Sequence, residues 1–311
     1  MPYLSAAFYR AAVALCLWGA WSSAASSVFS PAPETELQRA VERVMAGRSG
    51  TAVVADVDSG RLLAHYRLEV AARTLASPGS TVKPFTLAAL LEAGKLDAQT
   101  TLVCRRRVRL AGQELNCTHV ETAEPLDPVA ALAYSCNYFF AHFGRFLEAH
   151  DLAEAFRRAG LGSPSGLVQT EATGNVRVAS TVEEKQLEAL GHWGVETTPL
   201  ALLAAYRQLA LRRKRERGNS QLAPVFAGLE AATEYGTGQS ARPEGLRVAG
   251  KTGTSRARAG EWTQAWFVGY APADNPEIVL VVFVERGRGG ADAAPLAREI
   301  FAAWQAERSR R

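Results

Sequence analysis

The chain has 311 residues, 48% of them hydrophobic and 21% charged. That composition belongs to an ordinary folded protein with a substantial core and excludes a disordered or low-complexity chain. A formal net charge of +4 permits contact with anionic surfaces but is too small to argue for nucleic acid.

Arg10 precedes an apolar run over 11–21, and Ser22, Ser23, Ala24 and Ala25 follow it. A positive flank, an apolar core and a small-residue region in that order predict a signal peptide over residues 1–25, with an uncleaved anchor as the alternative. Residues 26–34, containing Pro31 and Pro33, read as a linker. No other stretch is apolar and long enough to cross a membrane. The remaining chain, 35–311, is therefore expected outside the cytoplasm, periplasmic or otherwise extracytoplasmic, touching a membrane only through the N-terminal segment if that is uncleaved.

Apolar residues at helical spacing over Glu36–Met45 predict a first helix. Thr51–Val57 and Arg61–Tyr66 flank Asp58, Ser59 and Gly60, a β-hairpin signal. Next comes Pro78-Gly79-Ser80-Thr81-Val82-Lys83-Pro84, followed by the apolar run from Leu87 to Leu91. Pro84 cannot occupy a helix interior without clashing with the carbonyl four residues back, which puts Ser80 at the helix edge and Lys83 on the same face. Unpaired N–H groups at such an edge suit a developing oxyanion. A serine hydroxyl becomes a nucleophile when a neighbouring base takes its proton, and a desolvated lysine is such a base.

Of the cysteines beyond the leader, Cys104 and Cys117 flank a hairpin-like stretch from Arg105 to Gly112, so a disulfide between them is sterically reasonable in an exported protein; two free thiols are the alternative. Cys136 would stay unpaired and reads as a packed small residue. The patterns from 86 to about 235 are mainly helical. Ser135-Cys136-Asn137 sits between apolar runs, Leu152–Ala159 is a short helix, and 162–181 reads as irregular. Pro199 opens another helix, which the basic run 212–217 closes as a solvated last turn. Strand patterns return at Leu246–Gly250 leading into Lys251-Thr252-Gly253-Thr254, at Thr263–Tyr270 and at Glu277–Val284, before a final helix over Ala294–Trp304. The five histidines show no metal spacing, and neither metal nor cofactor is expected. The two early and three late strands can form one antiparallel sheet, with the middle helices as an insert.

Ser80-x-x-Lys83, Ser135-x-Asn137 and Lys251-Thr252-Gly253 occur in the order found in the penicillin-binding protein and serine β-lactamase superfamily, and their flanking residues resemble penicillin-binding transpeptidase segments. Cys104 and Cys117 ahead of the second motif are also similar to cysteines in members of that family. The resemblance runs from about Glu36 to Trp304. It implies an α/β (α+β) fold with a five-stranded antiparallel sheet from about 51–67 and 245–285, flanked by helices, and a mainly helical insert over 86–235. It implies that Ser80 attacks the carbonyl between two D-alanines of a peptidoglycan stem peptide, with Lys83 as its base. Ser135 and Lys251 pass a proton to the leaving amine, and Asn137 holds Lys83 or the substrate backbone. It implies that Thr252 and Thr254 bind the substrate carboxylate, that Gly253 leaves room for the substrate along the strand edge, and that the Ser80 and Thr254 N–H groups form the oxyanion hole. β-Lactams would acylate Ser80, and cell-wall synthesis proteins are the expected partners.

Alternatives are a D,D-carboxypeptidase, a class A-like serine β-lactamase and a non-enzymatic β-lactam sensor or scaffold. Glu171 stands four residues before Asn175, the spacing of a class A deacylation base, but its surroundings also resemble a structural loop of transpeptidases. The segment around His192 lacks the more usual transpeptidase glutamine, and His192 reads as structural. At this length no glycosyltransferase domain or large pedestal is expected.

Overall fold

A computed structural model describes residues 35–122, 124–216, 220–257 and 260–310. The predicted leader and linker, and Arg217 at the end of the basic run, lie outside them. Among the described residues no helix is long and apolar enough to cross a membrane.

Helix α1 (Glu36–Met45) starts where the Thr35 hydroxyl accepts a hydrogen bond from the Gln38 N–H. Its apolar stripe, Leu37, Val41, Val44 and Met45, is buried. The predicted hairpin follows as β1 (Gly50–Asp56) and β2 (Leu62–Tyr66). In its turn Asp56 accepts from both the Ser59 N–H and the Ser59 hydroxyl. Helix α2 (Leu68–Arg73) and a single 3-10 turn (Gly79–Val82) lead into α3 (Lys83–Glu92). Burial of Lys83, Pro84, Phe85, Thr86, Leu87, Leu90 and Leu91 makes α3 the axis of the helical half.

A small ribbon, β3 (Arg109–Leu110) and β4 (Gln113–Glu114), precedes α4 (Pro128–Ala133), α5 (Asn137–Gly144) and α6 (Ala149–Arg158). Strands β5 (Asn175–Val176) and β6 (Val195–Glu196) enclose α7 (Val182–Ala189). This second ribbon was not legible in the sequence, because two-residue strands carry no periodicity. Helices α8 (Pro199–Arg215) and α9 (Ala223–Glu234) complete the insert. The chain closes with β7 (Ala249–Arg256), β8 (Thr263–Ala271), β9 (Ile278–Val284) and α10 (Ala294–Arg308). The strand expected from Leu246 begins at Ala249.

The main sheet has the expected five antiparallel strands, in the order β2-β1-β9-β8-β7. Both of its faces are covered, which is why β9 reads Ile-Val-Leu-Val-Val-Phe-Val without polar alternation. Val53, Val281, Phe283 and Trp266 face the helical half, while Val54, Leu280, Val282 and Phe267 meet Leu37, Ile300 and Phe301 of α1 and α10. Trp266 and Phe283 pack with ring centroids 4.3 Å apart, both fully buried. Phe283→Ala is expected to cost about 3–5 kcal/mol, read by reversible urea unfolding.

Candidate active site

Three segments from different parts of the chain meet beside the N-terminal end of α3. The first is the 3-10 turn holding Ser80. Gly79 there adopts φ +53°, and a Cβ at that position would lie 2.7 Å from the Thr254 carbonyl oxygen. Gly253 on β7 is as tight: its Cβ would stand 2.7 Å from the Pro78 carbonyl oxygen. Each glycine therefore permits the Ser80 turn to lie directly against the edge of β7. The Gly79 N–H and the Ser77 hydroxyl both donate to the Gly191 carbonyl, at 3.1 and 2.6 Å, and the Tyr206 hydroxyl donates to the Thr81 carbonyl at 2.8 Å. The Ser80 turn is thus held from two sides by groups no sequence motif had singled out.

The second segment is the turn between α4 and α5. Asp127 caps α4 by accepting from the Ala130 N–H, and Pro128 occupies its first turn. Ser135 then takes a left-handed backbone, φ +55°, unusual for a residue other than glycine. The Cys136 sulfur accepts from the Phe139 N–H and so caps α5. This bend aims three acceptors at one ammonium. Lys83 Nζ donates to Asn137 Oδ1 at 2.6 Å, to the Ser135 carbonyl at 2.7 Å and to Ser135 Oγ at 3.1 Å. The Asn137 amide is oriented from its other end, where Nδ2 donates to the Leu115 carbonyl at 2.9 Å. The Phe140 ring lies beneath Nζ, 5.4 Å from its centroid.

The third segment is β7, the sheet's edge strand, whose outer side no other strand covers among the described residues. Lys251 is fully buried and its Nζ donates to the Thr252 carbonyl at 3.0 Å. Thr252 Oγ1 donates to Thr237 Oγ1 at 2.8 Å, and Thr254 Oγ1 accepts from the Gly289 N–H at 3.1 Å. Thr237, in the loop after α9, adds a hydroxyl that sequence reasoning missed; it becomes visible only when the loop folds back against β7.

Two buried amines in one site set its electrostatics. Burial brings Lys83 down to about 8, with Cys136 and Cys117 acting in the opposite direction. Lys251 is held well below the ordinary lysine range, by burial first and then by the Lys83 charge. The same two causes bring His192 to about 4, which keeps it neutral.

Glu171 is occupied elsewhere. Its carboxylate accepts from the Ser165 N–H at 2.7 Å, the Ser165 hydroxyl at 2.8 Å and the Val168 N–H at 3.3 Å, which braces the 165–168 loop. The disulfide considered for Cys104 and Cys117 is absent: both are free thiols, with sulfurs 3.6 Å apart against about 2.05 Å for a bond. Nor is Cys136 simply packed apolar. Its sulfur lies beside the other two, and His119, which no spacing had marked, completes a group whose four donor atoms lie within 4.8 Å of one another. That group is the one set among the described residues suited to a metal.

Gly191 carries φ +73°, and a Cβ there would sit 2.1 Å from the Gly79 carbonyl oxygen. Gly191→Ala is expected to destabilise the fold by at least about 1–3 kcal/mol from backbone strain alone. Thermal unfolding of the variant checks this.

Comparison with known proteins identifies the family. The family model described as the penicillin binding protein transpeptidase domain matches residues 50–302. Stage V sporulation protein D of Bacillus subtilis is 28% identical over 72% of this chain and 41% of its own length. Peptidoglycan D,D-transpeptidase PbpA of Mycolicibacterium smegmatis is 28% identical over 73% of this chain and 54% of its own. The chain thus spans about half the length of these curated relatives. A crystal structure of the D,D-transpeptidase domain of a peptidoglycan glycosyltransferase from Eggerthella lenta shares the fold, with a TM-score of 0.75 at 22% identity over 88% of this chain and 81% of that one. The chain belongs to the penicillin-binding protein transpeptidase domain family.

Proposed function

We propose that this protein is a serine D,D-transpeptidase that cross-links peptidoglycan stem peptides ending in D-Ala-D-Ala and is acylated by β-lactams. The observation that carries the proposal is the seating of Lys83: a buried amine brought to about 8, held by Asn137 and Ser135 one helical turn from Ser80.

In this reading Ser80 is the nucleophile and neutral Lys83 takes its proton as the C–O bond forms. The oxyanion develops at the N-terminal end of α3, where the Ser80 and Thr254 N–H groups receive it. The uncovered edge of β7 binds the stem peptide as an added strand, with Gly253 leaving room for its backbone. Thr252, Thr254 and the neighbouring Thr237 supply hydroxyls for the terminal carboxylate. Ser135 bridges Lys83 to the leaving amine and, helped by Lys251, returns the proton that expels D-alanine. An acceptor amine then attacks the acyl-enzyme by the same steps in reverse order. The predicted leader would place the domain outside the cytoplasm, where peptidoglycan is exposed, among other cell-wall synthesis proteins.

A specific observation separates this reading from a class A β-lactamase. Glu171, the one residue with the required spacing, spends its oxygens on Ser165 and Val168.

A fluorescent penicillin is expected to label the purified protein at Ser80, with Ser80→Ala abolishing the adduct. No adduct on folded wild type would overturn the assignment. The adduct should persist for many minutes, and Glu171→Gln should leave its lifetime unchanged; turnover in seconds that depends on Glu171 would establish a β-lactamase instead. Because Lys83 must be neutral to act, the acylation rate should climb about tenfold per pH unit below 8 and level off above it. Lys83→Ala should lower the plateau by about 10²–10⁴-fold. Stopped-flow acylation across pH measures both.

A further inference from the structure

The sulfurs of Cys104, Cys117 and Cys136 form a nearly equilateral triangle, with separations of 3.6, 3.7 and 3.4 Å. His119 Nε2 lies 3.5 Å from the Cys104 sulfur, on the same small cluster. A tetrahedral zinc with Zn–S of about 2.3 Å and Zn–N of about 2.05 Å requires S···S edges of about 3.8 Å and S···N edges of about 3.6 Å. A disulfide requires one pair to close to about 2.05 Å and leaves the third sulfur over. The three sulfur–sulfur edges and the Cys104–His119 edge lie near the metal values, and the remaining two His119 edges fall within 4.8 Å.

The surroundings match it as well. Each sulfur accepts one backbone N–H: Arg106 N–H to Cys104, Tyr138 N–H to Cys117 and Phe139 N–H to Cys136, at 3.4, 3.3 and 3.4 Å. Three such donors suit thiolates, which are metal ligands, better than thiols. His119 Nδ1 lies 2.7 Å from the Val120 carbonyl oxygen. Donating its proton there leaves Nε2 with its lone pair directed at the sulfurs, the usual arrangement behind a ligating imidazole. The Tyr134 ring stacks on His119 at 5.6 Å, and Arg106 donates to the His119 carbonyl at 2.8 Å. Cys117, His119 and Cys136 are buried and Cys104 is half-buried, so four protein ligands close the site, as in structural zinc centres.

We propose that Cys104, Cys117, His119 and Cys136 bind one Zn²⁺ ion as a closed Cys3His centre that positions the Ser135–Asn137 turn against Lys83. Binding needs no redox partner: thiols lose their protons to solvent as the metal–sulfur bonds form. Cys136 stands between Ser135 and Asn137, so the metal would fasten that turn to the 104–119 excursion. The same excursion supplies the Leu115 carbonyl that orients the Asn137 amide. The positioning half of the proposal rests on the transpeptidase reading; the metal itself does not.

Metal content therefore comes first, measured on the full chain purified without chelator or added reductant. One zinc per chain by elemental mass spectrometry, and tetrahedral thiolate bands after Co²⁺ exchange, are expected. Cys104→Ser and His119→Ala should each lower zinc retention under chelator challenge, at unchanged far-ultraviolet circular dichroism. Should both variants fail to fold, displacement of zinc from wild type by an organomercurial, followed with a zinc dye, decides the same point. A Cys104–Cys117 disulfide in non-reduced peptide maps of metal-free protein would overturn the centre. Stripping zinc should slow fluorescent penicillin labelling at least about tenfold, with recovery on adding Zn²⁺ or Co²⁺ but not Mg²⁺. An unchanged labelling rate in stripped, folded protein would overturn the positioning role alone.

Discussion

An amine with no access to water has to be given its hydrogen-bond partners by the fold, and the helical half of this protein is arranged around that requirement. Lys83 stands at the start of α3 with its side chain fully buried. An ammonium there without acceptors would be costly. The α4–α5 bend supplies Asn137 Oδ1 and both Ser135 oxygens, and the Phe140 ring closes the remaining side. Burial weakens the ammonium while the acceptors keep the neutral and charged forms in reach of each other. The left-handed backbone at Ser135 is understandable on this basis, since an ordinary turn would not deliver a carbonyl and a hydroxyl to one point.

Beyond the apolar side chains packed between them, the two halves of the fold are joined at the Ser80 turn by close backbone approach. Gly79 and Gly253 let the Ser80 turn rest on the edge of β7, and Gly191 lets the segment after α7 support that turn from behind. Side-chain chemistry then needs little freedom. Thr252 is held by Thr237 and Thr254 by the Gly289 N–H, so both hydroxyls on β7 are already oriented.

Much of this was legible in the sequence, for identifiable reasons. The sheet strands are long and apolar on both faces, and their hairpin and edge residues are distinctive, so the five-stranded sheet could be anticipated. Ser80, Lys83, Ser135, Asn137 and Lys251 stand in short motifs whose spacing survives without tertiary knowledge. Thr237 and Gly191 could not be found in that way, because their roles come from loops folding back across the chain. The cysteines show the limit most clearly. A pair with a hairpin between them suggested a disulfide, whereas the fold sets a third sulfur and His119 at the same distances. Ligands contributed from 104, 117, 119 and 136 have no compact spacing to recognise.

The pairing of β1 with β9 bears on how the chain acquires its structure. Gly50 lies opposite Val284, so the first strand of the sheet gains its inner neighbour only after more than 200 further residues have been made. Such a long-range contact forms slowly, because the loop must close before the contact repays it. Until then the β1–β2 hairpin has an apolar flank and an open edge. The Ser80 turn waits too, since its rest on β7 comes from the same late segment. The reactivity proposed for Ser80 would therefore belong to the finished chain, reached after its last strands have docked and not while earlier parts are still emerging.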